Sequence, residues 1–369
     1  MNELMGTSNR RGFLASLAVL GSASVARPAL GPFQSPAPRL KFGFDNFSVR
    51  TCGWKAPRLI EYAAARKVDT LLLSDLEVYE SLEDSYLATV RAQAAEAGIE
   101  LQAGTSSICP TSKSYNAAKW GPAEDHARLL IRTAHRLGST VARCYLGNRG
   151  DRQGDGGIYR HIDAMVKVLR AVKSEAQDAN VKIAVENHAG DMQAWELVSL
   201  IEEAGKDFVG ATMDPGNAAW TLEDPLANLE ILGPYALTTG IRDSAVWETD
   251  QGAGSMWVNM GEGVVDWPAY VKRFQELCPH TAFVLEVISY KWPYEMPYLK
   301  PEFWSLFPRA RAAEFARFVA LAKRGRKHQL PPGRPTGNQS PELEQAQQKY
   351  DLEACLQYCR ETLGFGSKP

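Results

Sequence analysis

The chain has 369 residues, of which 45% are hydrophobic, and its 41 lysines and arginines face 43 aspartates and glutamates for a formal net charge of −2. Because the two signs are interspersed, no basic face is available for a phosphate backbone, and nucleic acid is not expected as a partner. None of the six cysteines forms a CxxC pair, so a zinc ribbon or a dithiol redox motif is not indicated. Buried free thiols are expected for most of the six, although Cys355 and Cys359 could pair with cysteines of other elements in an oxidising compartment.

The first thirty residues have the features of an export signal. Arg10-Arg11 precedes a mildly apolar run over residues 15–25, and Ser24-Val25-Ala26 has the small-x-small pattern of a signal-peptide cleavage site. This order predicts a twin-arginine signal over residues 1–30 and a periplasmic or otherwise exported protein. The alternative is a disordered tail with a chance arginine pair. The run is too short for a permanent bilayer span, and no later segment has the roughly eighteen uninterrupted apolar residues that a span needs.

The body of the chain alternates strand-like and helix-like segments. Strand-like segments start near Phe42, Val68, Ile99, Thr140, Ile183, Val209, Leu237 and Phe283. Helix-like patterns follow them over residues 56–65, 86–97, 123–137, 159–176 and 195–204, near Leu226, and over 267–277 and 310–322. Eight such units predict an α/β fold, a (β/α)8 TIM barrel over residues 40–325. A doubly wound open sheet is the alternative, but no glycine-rich loop follows the first strand.

The last part of the chain is predicted to be an extension of the barrel. Residues 323–341 are rich in proline, glycine, lysine and arginine, which indicates an irregular linker. Residues 342–363 have helical character. Because a solvated helix of this length would be marginal on its own, we expect the linker and helix of residues 326–369 to pack on the barrel or on another subunit of a homo-oligomer.

Three acidic residues follow apolar strands in the second half of the sequence. Glu186 ends the fifth strand, Asp214 the sixth and Glu286 the eighth. In a closed parallel barrel these strand ends meet at the C-terminal mouth, so the three carboxylates should converge there. Taken singly, each has a simpler interpretation as a helix cap or a loop hydrogen-bonder, and the segment from Asp214 to Asn217 could be only a turn.

The same motifs carry a resemblance to a known family. They are Val185-Glu186-Asn187-His188, Met213-Asp214-Pro215-Gly216-Asn217, Ile241-Arg242-Asp243, Gly261 to Trp267 and Leu285-Glu286. Their order and spacing over residues 40–325 resemble the xylose isomerase-like TIM barrels known as sugar phosphate isomerases and epimerases. The resemblance implies a divalent metal (Mn²⁺, Mg²⁺, Co²⁺ or Zn²⁺) held by Glu186, Asp214, Glu286 and a histidine of the seventh strand. It also implies that Glu186 and Glu286 move protons on opposite faces of an open sugar.

One position departs from that pattern. Relatives commonly read His-x-Lys/Arg-Asp on the seventh strand, whereas this chain has Gly240-Ile241-Arg242-Asp243. Three carboxylates alone can still hold Mg²⁺ or Mn²⁺ with water in the open positions. His188 is a conceivable substitute ligand, although we expect it to contact substrate instead.

Further substrate contacts are expected around this site. We predict that Asn217, Arg242 and Trp257 bind substrate together with His188. Trp54, Trp220, Trp247 and Trp292 also fall near predicted strand–helix loops, where flat rings could stack on a sugar, although packing is the commoner role of a single tryptophan. The long connection over residues 244–263 is predicted to be a lid.

Three functions remain open from the sequence. The first is a sugar (phosphate) isomerase or epimerase that removes a proton next to a carbonyl, with a small carbohydrate as its partner. The second is a lyase or dehydratase acting on a keto-sugar, which removes the same kind of proton but expels a β-substituent. The third is a carbohydrate-binding barrel that has lost its metal together with the histidine.

Overall fold

The computed structural model describes residues 39–291, 293–331, 334 and 339–366. The predicted export signal and Trp292 therefore lie outside the described residues. In chain order the strands are β1 Phe42–Asp45, β2 Thr70–Leu73, β3 Glu100–Ser107, β4 Val141–Tyr145, β5 Lys182–Glu186, β6 Val209–Met213, β7 Ala236–Thr239, β8 Asp243–Thr249, β9 Gly252–Val258, β10 Phe283–Leu285 and β11 Tyr294–Met296.

Eight parallel strands form the barrel. They run in the order β10-β1-β2-β3-β4-β5-β6-β7. The ring closes where Ile241, just beyond β7, bridges Leu285 of β10. The Glu286 amide then donates to the Ile241 carbonyl at 2.9 Å. Strands such as β2 and β6 are buried along their whole length, as expected for strands covered on both faces. The predicted TIM barrel is confirmed.

Helices connect the strands on the outside of the barrel. They are α1 Ala56–Ala65, α2 Asp84–Glu96, α3 Ala117–Trp120, α4 Ala123–Leu137, α5 Gly157–Ala171, α6 Lys173–Asp178, α7 Ala194–Ala204, α8 Pro215–Ala218, α9 Pro225–Leu232, α10 Trp267–Leu277, α11 Ala312–Arg324 and α12 Pro341–Glu361. The bounds of α1, α4 and α10 match the predicted ones. The single helix predicted over residues 159–176 is instead divided between α5 and α6, because Val172 leaves the helical backbone region (φ −113°, ψ 13°).

Helix α4 illustrates why the pattern predicts these helices. Its buried side chains include Ala127, Leu130, Ile131 and Ala134, which recur at helical spacing on one face. Gly138 ends the helix with φ 77°, a left-handed conformation that glycine adopts without strain. The apolar face packs on the barrel and the polar face meets solvent.

The predicted lid over residues 244–263 has regular structure. Strands β8 and β9 form an antiparallel hairpin, and β11 pairs with β9 to complete a three-stranded sheet. Apolar side chains of this sheet, among them Val246 and Met296, pack in one cluster with Phe318 and Leu321 of α11. The sheet therefore forms a wall beside the barrel mouth, and Trp257 of β9 is one of its side chains.

Helix α12 packs against the barrel. The side-chain carbonyl of Gln348 accepts hydrogen bonds from the Thr51 amide at 3.0 Å and the Thr51 hydroxyl at 2.8 Å. Cys355 accepts from the Met260 amide at 3.3 Å. All six cysteines are free thiols. Among the residues that the structure describes, no helix combines the length and the apolar character of a bilayer span.

Candidate functional site

Three carboxylates meet at the C-terminal mouth of the barrel. Glu186 is the last residue of β5, Asp214 follows β6 and Glu286 follows β10. One oxygen from each lies within 4.8 Å of the others, and all three side chains are buried. The structure thus brings together the three residues that the strand ends singled out. Their spacing is that of a group that could hold a metal ion.

The guanidinium of Arg242 lies among these carboxylates. Its Nη2 atom is 2.5 Å from Glu286 Oε2, 2.6 Å from Asp214 Oδ2 and 3.8 Å from Glu186 Oε1. Burial disfavours the charged guanidinium, but the facing carboxylates, Asp214 first, outweigh it and raise the pKa of Arg242. Arg242 is therefore a permanent cation at the centre of the site.

Arg143 of β4 holds Glu186 from the other side. Its Nε atom donates to Glu186 Oε2 at 2.7 Å, its Nη2 donates to the same oxygen, and its Nη1 donates to the Thr105 carbonyl at 3.1 Å. Burial opposes the charge of Arg143, yet the Glu186 carboxylate raises its pKa overall. Sequence reasoning did not select Arg143, although its place in the fourth strand, facing the mouth, was the available signal.

A fourth carboxylate, Asp45, ends β1 at the same mouth. It accepts hydrogen bonds from the Ser74 hydroxyl at 2.5 Å and the Phe47 amide at 2.8 Å. Burial, and then the negative charge of Glu286, raise the pKa of Asp45 to about 7. Asp45 was also not selected from the sequence, because a polar residue after one strand is common in any loop.

Gly240 stands where the resemblance implies a ligand histidine. A Cβ atom placed there would lie 3.0 Å from Glu286 Oε2 and 3.8 Å from Asp214 Oδ2. Any side chain at residue 240 would therefore start beside the carboxylates. Because residues two apart on an extended chain face the same side, Gly240 and Arg242 both face the three carboxylates.

Asp214 is both a helix cap and a member of the carboxylate cluster, the two roles that the sequence left open. Asp214 Oδ1 caps α8 by accepting from the amides of Gly216 at 2.8 Å and Asn217 at 3.1 Å, while Oδ2 faces Arg242. The Asn217 amide nitrogen donates to Asp214 Oδ2 at 2.6 Å and to Glu186 Oε1 at 3.2 Å. Asn217 thus orients two of the carboxylates.

Two neighbouring cavities open above this cluster. The larger, of about 510 Å³, is lined among others by Phe47, Tyr145, Arg149, His188, Trp220, Arg242, Trp257 and Glu286. The smaller, of about 170 Å³, includes Ser74, Trp120 and Arg143. Both are lined by Phe47, Tyr145, His188 and Glu286. We call the two together the mouth cleft. Glu286 and Arg242 line it, whereas Glu186 lies beneath it with no exposed surface.

His188 is fixed as a neutral hydrogen-bond acceptor in the mouth cleft. Its ring stacks on Tyr145 with centroids 3.9 Å apart, and its Nδ1 lies 2.6 Å from the Gly147 carbonyl oxygen. A carbonyl can only accept, so Nδ1 carries the hydrogen and Nε2 is left with a lone pair. Burial, and then Arg143, lower the pKa of His188 to about 4. His188 does not belong to the carboxylate group that could hold an ion.

Aromatic rings form one side of the mouth cleft. Trp220 and Trp257 stack face to face with centroids 4.5 Å apart, and the Arg242 guanidinium lies over the Trp257 ring at 4.5 Å. Trp257 Nε1 donates to the Gly216 carbonyl at 3.1 Å. Trp54 instead packs on Tyr62 of α1, with centroids 5.0 Å apart. Trp247 packs with the apolar side chains of β8 and β9.

Several buried polar atoms at the mouth have no hydrogen-bond partner among the residues that the structure describes. They include Arg242 Nε, Asn217 Oδ1 and Trp220 Nε1. A buried polar atom without a partner costs about 1–3 kcal/mol, so such atoms commonly mark where a ligand or water binds. Arg242 and Trp220 line the mouth cleft, and hydrogen-bond donors beside an aromatic surface suit a ligand rich in hydroxyl and carbonyl oxygens.

Comparison with known proteins identifies the family of this fold. A family profile described as "xylose isomerase-like TIM barrel" matches residues 61–304. The 3-oxo-isoapionate decarboxylase of Pectobacterium atrosepticum is 20% identical over 239 residues, which cover 64% of this chain and 78% of that protein.

Solved structures show the same fold. A D-psicose 3-epimerase, crystallised in the presence of D-fructose, matches with a TM-score of 0.56 and 17% identity over 88% of this chain and 100% of its own. The IolI protein, solved with a zinc atom, matches with a TM-score of 0.52 and 15% identity over 77% of this chain and 95% of its own. At these identities the likeness establishes the fold alone.

Proposed function

The chain belongs to the xylose isomerase-like TIM barrel family, and on this premise we propose that it is an enzyme that removes a carbon-bound proton next to a sugar carbonyl. The observation that carries the proposal is the pairing of Glu286 with Arg242 in the wall of the mouth cleft, at 2.5 Å. A carboxylate is a suitable base for such a proton, and an adjacent cation stabilises the oxyanion that its removal creates.

The proton transfer uses groups of this chain. Glu286 takes the proton from the carbon beside the carbonyl, and the electrons of the broken C–H bond form a carbon–carbon double bond. The carbonyl π electrons move to its oxygen, giving an enediolate whose charge the N–H groups of Arg242 stabilise. His188 Nε2 accepts a hydrogen bond from a sugar hydroxyl, since its pKa of about 4 keeps the ring neutral near pH 7. The stacked Trp220 and Trp257 rings offer an apolar surface to the sugar ring or chain.

The accessibility of the two glutamates favours isomerisation over epimerisation. Epimerisation removes a proton on one face and returns it on the other, which takes two groups. Glu186 is fully buried, bound by Arg143 and absent from the walls of the mouth cleft, so Glu286 is the accessible carboxylate of the two. One carboxylate can move the proton between neighbouring carbons on a single face of a cis-enediolate, while the hydroxyl proton of the second carbon passes to the oxygen of the former carbonyl. An aldose–ketose isomerase is therefore our first choice.

A keto-sugar lyase is the second candidate, and the same observation supports it. After one base has removed the proton, expulsion of a β-substituent completes an elimination without a second base. The 20% identical relative named a decarboxylase adds that the family includes members that break carbon bonds instead of moving hydrogen. The two candidates share the first step and differ in what the enediolate does next.

Divalent metal chemistry is not needed for these steps. The carboxylates of Glu186, Asp214 and Glu286 are spaced as metal ligands are, but the position among them is held by Arg242 Nη2. With Arg242 in this place the residues do not fit a metal ion, so we assign the electrostatic role to the guanidinium.

The test is exchange of carbon-bound hydrogen in deuterated water, followed by NMR over a panel of keto-sugars, aldoses and their phosphates. Glu286→Gln keeps the shape but removes the basic oxygen, so exchange should fall by about 10² to 10⁴. Glu295→Gln is the matched control, because Glu295 is exposed on β11, and this variant should exchange as the wild type does. The products distinguish the candidates, since an isomer keeps all its atoms and an elimination releases a fragment.

Two results would contradict the proposal. Normal exchange by Glu286→Gln would show that Glu286 is not the base. Absence of exchange with every sugar, with or without added Mn²⁺, Mg²⁺, Co²⁺ or Zn²⁺, combined with tight sugar binding, would instead support the carbohydrate-binding barrel.

A further inference from the structure

We propose that Arg242 is the built-in cation of this site and replaces the divalent metal that its carboxylates would otherwise hold. The proposal rests on the site of the proposed function and adds the identity of its positive charge. In this protein the positive charge at the centre of the site would belong to a side chain and not to a bound ion.

The first argument is the position of the guanidinium. A divalent ion would lie about 2.0–2.6 Å from carboxylate oxygens. Arg242 Nη2 is 2.6 Å from Asp214 Oδ2 and 2.5 Å from Glu286 Oε2, so it already occupies the place where an ion would contact both. Two cations cannot share that place, because nitrogen bearing hydrogen has no lone pair to offer the ion.

The second argument is that the arginine stem is confined. A Cβ atom on Gly216 would lie 2.0 Å from Arg242 Cγ and 2.8 Å from its Cδ, so the stem runs against bare backbone at this glycine. The guanidinium lies over the Trp257 ring at 4.5 Å. Arg242 is only 3% exposed. To admit a metal, the side chain would have to leave this slot and abandon its ion pairs while still buried, which is costly.

The third argument is the missing ligand. Gly240 faces the same carboxylates, and a Cβ atom at this residue would lie 3.0 Å from Glu286 Oε2, yet glycine contributes no side chain. The chain thus lacks the histidine that the resemblance implies as a metal ligand, and the guanidinium two residues later reaches the carboxylates instead. The missing ligand and the position of the guanidinium both weaken metal binding.

The fourth argument is charge balance. The carboxylates of Glu186, Asp214 and Glu286 are paired with the guanidiniums of Arg143 and Arg242. Each of the three carboxylates therefore already faces a buried cation, so none of them is left without a partner that a metal ion would have to supply. Buried charges are stable only when they are matched.

The test uses Mn²⁺ alone as the probe. Protein stripped with a chelator is titrated with Mn²⁺, and free ion is followed by electron paramagnetic resonance. We expect no stoichiometric binding to the wild type with a Kd below about 1 mM. Arg242→Ala exposes the three carboxylates and should bind one Mn²⁺ at least about tenfold more tightly. The double variant Gly240→His with Arg242→Ala restores a histidine and should bind more tightly still.

The matched control is Arg149→Ala. Arg149 lines the same cleft but contacts Tyr294, with its guanidinium 4.3 Å from the ring centre, and none of the carboxylates. Its removal should leave Mn²⁺ binding at the wild-type level. Equal gains in this variant and in Arg242→Ala would mean that general charge, and not the position of Arg242, governs binding, and the proposal would fail.

The wild-type measurements are decisive even if a variant does not fold. A divalent ion that copurifies one per chain, or Mn²⁺ binding by the wild type as tight as by Arg242→Ala, would overturn the proposal. The exchange assay separates this failure from that of the proposed function. Exchange that continues in chelator supports both proposals, and exchange that requires Mn²⁺ overturns only the role of Arg242. No exchange under any condition, together with no Mn²⁺ binding, overturns only the function.

Discussion

Breaking the pair between Arg143 and Glu186 should destabilise the barrel strongly. Arg143→Met keeps most of the side-chain volume but removes the donors at 2.7 Å from Glu186 Oε2. Glu186 has no exposed surface, so its charge cannot be transferred to water. It would keep only the Asn217 amide at 3.2 Å and the more distant Arg242 at 3.8 Å. Removing one partner of a buried ion pair costs about 3–5 kcal/mol, and we expect the free energy of unfolding to fall by that amount.

The assay is guanidinium unfolding of the wild type, Arg143→Met, Glu186→Gln and the double variant. Because the double variant leaves neither charge unpaired, it should lose less stability than the sum of the two single losses, by about 0.5–3 kcal/mol. Arg128→Met is the control. Arg128 donates to Glu175 at 2.9 Å, but both side chains are about half exposed, so its loss should cost about 1 kcal/mol or less.

A loss below about 1 kcal/mol for Arg143→Met would refute this reasoning, because it would place the buried pair among ordinary surface pairs. Strict additivity in the double variant would also refute it, since the two charges would then be independent. Either result would further undermine our view that Arg143 holds Glu186 beneath the mouth cleft.

Three further predictions address other parts of the chain. Burial lowers the pKa of His126 from 6.5 to about 4, so the neutral ring contributes to the free energy of unfolding above pH 6.5, and this contribution is lost as the pH falls towards 4. In denaturation at several pH values, His126→Gln should reduce the loss of stability on acidification by up to about 3 kcal/mol. An unchanged dependence of stability on pH would contradict this prediction. Gly216→Ala places a Cβ 2.0 Å from Arg242 Cγ and should reduce deuterium exchange at least about tenfold while circular dichroism shows a folded barrel; full activity would mean that the arginine is not confined. We also propose export by the twin-arginine route, so lysine at both Arg10 and Arg11 should leave the protein in the cytoplasmic fraction, whereas unchanged export would exclude the signal.

The convergence of the three carboxylates could be expected from the sequence because it depends on topology alone. In a parallel barrel every strand ends at the same rim, so a residue that follows an apolar strand is placed there without knowledge of any contact. Glu186, Asp214 and Glu286 each follow such a strand, and the barrel brings their oxygens within 4.8 Å. The fold itself was predictable for the same reason, since eight repeated strand–helix units admit few closed arrangements.

The hairpin of β8 and β9 was not predictable from the same signals. Its glycines, Gly252 and Gly254, resemble loop residues in a sequence, although here they lie within a strand. The Cβ that Gly254 lacks would lie 2.5 Å from the Trp247 ring, so the glycine makes room for a cross-strand neighbour. The third strand, β11, comes from beyond β10. Pairing over such a separation leaves no local pattern.

The roles of Arg143 and Arg242 depend on geometry that no periodicity encodes. An arginine at a strand end can pair with its neighbour in sequence, bind substrate or meet a distant carboxylate, and all three look alike in the chain. Arg242 does not pair with the adjacent Asp243, whose carboxylate instead accepts hydrogen bonds from the Trp267 ring nitrogen at 2.8 Å and the Gly263 amide at 3.1 Å. Asp243 thus binds the segment that follows the hairpin, and Arg242 pairs with the carboxylates of other strands.

The alternation of extended chain links the glycine at residue 240 to the arginine at residue 242. Side chains two residues apart point the same way, so residues 240 and 242 face one set of carboxylates. With glycine at 240, the guanidinium reaches Nη2 distances of 2.5 and 2.6 Å to two of them without a competing side chain. A covalently attached cation differs from a bound ion in one testable respect, because its occupancy does not vary with metal concentration. If Arg242 supplies the positive charge, the rate of proton exchange should therefore be the same in chelator and in added Mn²⁺, and a rate that saturates with Mn²⁺ would show that the charge comes from solution.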